Sequence, residues 1–158
     1  MKRMFKAAAA FVVSAVLIML SGCGVQSSTT VTYDVAETGD RVALQLIAGY
    51  TQDGKNPFTI SSSGKELITG SFLTTEQYEE YVSLIEGGGS KDEVIQRIEQ
   101  GIKDSNIFCY FSSEKSGSTE YDFIVKIADT NTAVLLRGAG SQEAVRECFS
   151  SISFVPEK

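Results

Sequence analysis

Beyond residue 30 the chain repeatedly alternates apolar and polar positions. Val31, Tyr33 and Val35 alternate with Thr32 and Asp34; Val42, Leu44, Leu46 and Ala48 alternate with Ala43, Gln45 and Ile47. A period of two marks a strand with one buried face. Glu37-Thr38-Gly39-Asp40 supplies the turn between the runs, so they predict an antiparallel hairpin. Residues 52–57 read as a loop, because Asp53-Gly54 and Asn56-Pro57 are turn signals. Residues 58–61 and 66–72 read as two short strands about Ser63-Gly64-Lys65.

The period then changes. Thr74 with Gln77 three residues on forms a capping box, and Tyr78, Tyr81, Val82 and Ile85 share one helical face until Gly87-Gly88-Gly89. Residues 90–102 fit two patterns. Ser90 with Glu93 could cap a short helix carrying Val94, Ile95 and Ile98, yet Val94, Gln96 and Ile98 also alternate. The expectation is a short helix or turn over 90–95, a strand over 96–102, and a turn at 103–106. Residues 107–111, 121–127 and 133–136 are apolar on one or both faces, as the centre of an antiparallel sheet requires. Ser141 caps a last helix with Ala144, Val145, Cys148, Phe149 and Ile152 on one face, and residues 152–155 close as an edge strand before Pro156. The whole predicts a single α+β domain, an antiparallel β-sheet with helices packed on its faces.

The first residues follow another logic. Lys2, Arg3 and Lys6 precede an apolar run from Ala7 to Leu20 broken only by Ser14. That run is shorter than the roughly 20 residues a membrane-spanning helix needs and fits the core of an export signal. It ends in Leu20-Ser21-Gly22-Cys23, which resembles the lipobox of bacterial lipoproteins. The resemblance implies a diacylglycerol thioether on Cys23 and cleavage between Gly22 and Cys23. Small Ser21 and Gly22 let a peptidase reach the backbone, and only a thiol supplies the sulfur. The expected organisation is a signal peptide over 1–22, lipidated Cys23 with a flexible tether to residue 30, and the domain over 31–158. The expected address is the extracytoplasmic face of the cell membrane.

Composition narrows the function. Beyond Gly22 the chain carries 11 basic and 20 acidic side chains and no histidine. Such acidity argues against nucleic acid, whose binding starts from Lys and Arg on phosphates. Lacking histidine removes His-based triads, His metal ligands and the usual near-neutral base.

The order of elements resembles the PsbP-like α/β/α sandwich, named for an extrinsic subunit of photosystem II. The residues that carry the likeness are Phe58-Thr59-Ile60-Ser61-Ser62, the run from Glu120 to Ile127, Asn131 to Leu136, and Ser141 to Phe149. Ala48-Gly49-Tyr50 stands where those proteins often carry Pro-x-Gly-Trp. The resemblance implies accessory or binding roles at larger assemblies rather than one chemistry.

No catalytic set assembles. Glu79-Glu80 and Asp92-Glu93 are sequence neighbours, which diverge on a helix, so they read as a solvated acidic face. Gly138-Ala139-Gly140 lacks the Lys-Ser/Thr of a phosphate loop and reads as a strand-to-helix turn. No serine lies in a Gly-x-Ser-x-Gly elbow. Tyr50, in the expected loop, is the aromatic best placed for an exposed contact. Cys109 and Cys148 are either a disulfide closing a loop of about 40 residues, which an exported compartment permits, or two small buried hydrophobes. The expected function is therefore a non-enzymatic accessory or binding role of a lipoprotein, without metal or cofactor. Its partners would be the membrane, through the acyl anchor, and an envelope protein. The alternative is a solute- or cell-wall-binding lipoprotein.

Overall fold

A computed structural model describes residues 28–157. The expected export signal and lipobox, Cys23 included, lie outside the described residues. Ten strands and two helices follow in the order β1 (Thr29–Val35), β2 (Asp40–Leu46), β3 (Tyr50–Gly54), β4 (Phe58–Ser62), β5 (Lys65–Thr74), α1 (Thr75–Glu86), β6 (Val94–Lys103), β7 (Asn106–Lys115), β8 (Ser118–Lys126), β9 (Thr132–Gly138), α2 (Gln142–Ser150) and β10 (Ile152–Glu157). They form one small α+β domain. A seven-stranded sheet runs β3-β4-β5-β9-β8-β7-β6 and a three-stranded sheet runs β1-β2-β10, antiparallel at every pairing.

The large sheet is covered on both faces, and its sequence shows why. Along β7, Phe108 and Tyr110 face one way, Cys109 and Phe111 the other, and all four are buried. The first pair joins the main core with Val145, Cys148 and Phe149 of α2 and Val42, Leu44 and Leu46 of β2. The second pair joins a smaller core with Ile124, Leu135, Ile95 and Ile85 of α1. So α1 covers one face, while α2 and the small sheet cover the other. Helix α1 starts at the expected capping box: the Thr74 hydroxyl accepts from the Gln77 N–H at 3.3 Å, and the Gln77 side chain accepts from the Thr74 N–H at 2.9 Å.

Two polar latches join the small sheet to the turns of the large one. Buried Asn106 donates from Nδ2 to the Phe154 carbonyl at 2.7 Å and accepts the Ala128 N–H on Oδ1 at 2.9 Å. Along the same β8–β9 turn, Asp40 Oδ2 accepts from the Asn131 N–H at 2.8 Å and from the buried Thr132 hydroxyl at 2.7 Å.

Several boundaries differ from expectation. Strand β1 begins at Thr29, so Thr29 and Thr30 pair with Leu46 and Gln45 rather than belonging to a tether. Residues 90–93 form no helix, and β6 begins at Val94 and runs to Lys103. The physical reason is β7, whose ten residues offer β6 a long ladder that a single helical turn could not match. Only Ile95 of the apolar positions there is buried, while Val94 and Ile98 are exposed. The expected loop over 52–57 contains most of β3.

Candidate functional site

Strands β1 and β3 each lie at the end of a sheet. β1 has only β2 beside it, and β3 has only β4. A groove of about 720 Å3 runs between them, within the 300–1,000 Å3 or so of ligand sites. One wall is all of β1 with the turn that follows it; the other is residues 52–56. The second wall is fixed by short local bonds. Gly54 turns at φ +77°, with no room for a Cβ against the Pro57 carbonyl. The Asp53 carboxylate accepts the Gly54 N–H at 2.8 Å, Gln52 Nε2 donates to the Gly54 carbonyl, and Asn56 Oδ1 accepts the Phe72 N–H at 3.2 Å.

Aromatic rings lie beneath. Tyr33 packs on Phe58 and Phe72 with centroids 5.3 and 5.0 Å away. Tyr33 lines the groove yet is only 7% exposed, and its hydroxyl is buried without a hydrogen-bond partner. Burial pushes the Tyr33 phenol up; nearby Gln52 pulls slightly the other way, although its amide nitrogen is committed to Gly54. A neutral, underused hydroxyl can donate or accept, but it cannot serve as a nucleophile near neutral pH. The charged lining is slightly acidic: Asp34, Glu37 and Asp53 against Arg41 and Lys55. Arg41 is held by Asp34 at 2.9 Å and by Glu157 at 3.7 Å. A second, shallower hollow lies along the outer side of α2, lined by that helix alone.

The structure separates the two cysteines. Cys109 lies in the core under α1 and Cys148 in the core under α2, on opposite faces of the large sheet. Both are free and buried, which corrects the disulfide alternative: strand alternation points Cys109 away from the face α2 covers. Burial raises both thiols, Cys148 to about 12. Asp122 is a buried carboxyl raised to about 6, chiefly by desolvation, against the pull of the Gly138 N–H, which donates to it at 3.0 Å. Among the described residues no three His, Cys, Asp or Glu side chains gather as metal ligands, and no helix is long and apolar enough to cross a membrane.

Gly138-Ala139-Gly140 is the strand-to-helix turn its sequence suggested. Glu79 and Glu80 are exposed on α1. Tyr50 is not a loop contact; it opens β3, half-buried against the main core. The groove was not read from the sequence because its second wall passed as a loop. The signal was there in part: two short segments flanking Lys55-Asn56-Pro57 can pair as a hairpin, and Tyr50 to Gly54 does pair with Phe58 to Ser62. No protein-family model matches the chain, and no curated protein matches it.

Proposed function

We propose that the protein is a lipid-anchored extracytoplasmic lipoprotein whose domain binds or supports another envelope component at the membrane surface. The observation that carries this reading is Leu20-Ser21-Gly22-Cys23, closing an apolar run and standing shortly before β1 at Thr29. A tether that short keeps the domain at the bilayer and raises its effective concentration for membrane partners. The layering, with α1 on one face of the large sheet and α2 on the other, supports the finer reading of a PsbP-like sandwich. The groove supports a binding role: it offers hydroxyls, amides, three carboxylates and two cations, with Arg41 held by Asp34 and Glu157. Replacing Cys23 by Ala tests the anchor. The variant is expected to lose incorporation of a labelled fatty acid, to stay unprocessed and to leave the membrane fraction's mature band; unchanged processing and partitioning overturn the reading.

The groove's volume also favours a second reading, a solute- or wall-binding lipoprotein. In-situ crosslinking separates the two. A stoichiometric protein partner supports the first, and a small ligand that raises the melting temperature without such a partner supports the second.

A further inference from the structure

We propose that the groove between β1 and β3 takes an extended peptide segment of a partner protein, which pairs with the free edge of β1 as an added strand. This rests on the binding reading above and names its chemistry. An edge strand leaves every second residue's N–H and C=O pointing outward, ready for another chain. Three of the four sheet edges are guarded. On β6 the ladder slips between Arg97 and Glu99, and the strand carries Arg97, Glu99 and Lys103. On β10 stand Pro156 and Glu157, and its carbonyls at Ile152 and Phe154 accept from Lys103 and Asn106. β3 has five residues and ends in Asp53-Gly54.

β1 differs. Its seven residues hold an unbroken register with β2, contain no proline or lysine, and carry Asp34 as their one charge. Threonine, valine and tyrosine at six of the seven positions favour pairing. That edge does not face open solvent. It faces a groove whose other wall is residues 52–56, along all of β1, about 20 Å of extended chain. An edge of that length suits one extended segment laid along it. The Tyr33 ring, packed on Phe58 and Phe72 with its hydroxyl buried, closes the floor of the groove, so recognition there falls to the β1 backbone. The lining, three acids against two bases, suits a neutral backbone better than a phosphate or a polyanion.

The probe is a displayed library of random heptapeptides selected against the purified full-length protein, then titration of one selected synthetic peptide. Binding is expected to slow hydrogen exchange at alternate β1 amides. N-methylation of one ladder-facing amide of that peptide is expected to weaken it about fivefold to tenfold, the worth of one hydrogen bond, while the neighbouring amide tolerates it. The proposal is overturned if no peptide is selected, if protection falls outside β1, if N-methylation is tolerated at every position of the peptide, or if only small solutes compete for the groove. Cys23→Ala is titrated in parallel: anchoring retained in that variant, with peptide binding intact, sinks only the lipoprotein reading, whereas anchoring lost in it, with no peptide bound by the parent, sinks only this one.

Discussion

Phe58 and Gly70 sit directly opposite each other across β4 and β5, and the Phe58 ring lies over the glycine, where an added Cβ would overlap it. Phe58 is fully buried and touches Tyr33 and Phe72 beneath the groove. Gly70→Ala is therefore expected to displace the ring, cost about 2–3 kcal/mol in urea unfolding as an overpacked core site, and disturb the groove. A loss below about 0.5 kcal/mol would show that the ring has room to move aside.

Asp122 gives the pH dependence a sign. Its folded pKa, about 6, stands above the ordinary 3.8, so between those values the folded state holds more protons than the unfolded chain. Its contribution is full below the lower value and is lost as pH rises through about 6, on the order of 2–3 kcal/mol in all. Asp122→Asn keeps an acceptor for the Gly138 N–H. It is expected to remove this slope and to be the more stable protein at pH 7. Parallel stability curves for parent and variant from pH 4 to 7.5 would refute the assignment.

Neither Cys109 nor Cys148 is expected to react with iodoacetamide in the native protein, because both thiols are buried and raised. After unfolding without reductant, mass spectrometry should find both alkylated. An unmodified pair that labels only after reduction would restore the disulfide.

Asn106 bonds both to β10 and to the turn after β8. Asn106→Ala strands the Phe154 carbonyl and the Ala128 N–H. The expected cost is about 2–4 kcal/mol in chemical unfolding, the penalty for two orphaned buried groups. A cost near zero would mean water replaces the side chain.

Local signals were strongest where one residue pattern has one physical meaning. Thr74 and Gln77 marked the start of α1, Ser141 that of α2, and the continuous apolar run in β7 and the alternation in β8 marked buried strands. Val94 to Ile98 carried both periods, and only the waiting edge of β7 decided between them. Tyr50 to Gly54 is short, polar and glycine-ended, so its strand character comes from β4 and not from itself. The groove arises from how two sheet edges meet, and no single segment encodes that meeting. The cysteines fail for a similar reason. Each looked core-facing, as each is, but a sheet has two faces and the sequence does not say which one a distant helix will cover.

The chain enters the domain at Thr29 straight into β1, which holds to its sheet through β2 alone. A pull along that strand loads its ladder in shear, with the cross-strand bonds sharing the force at once rather than breaking in turn. A strand laid in the groove would add a second ladder to the same element. Occupancy would then raise the force at which β1 leaves the domain.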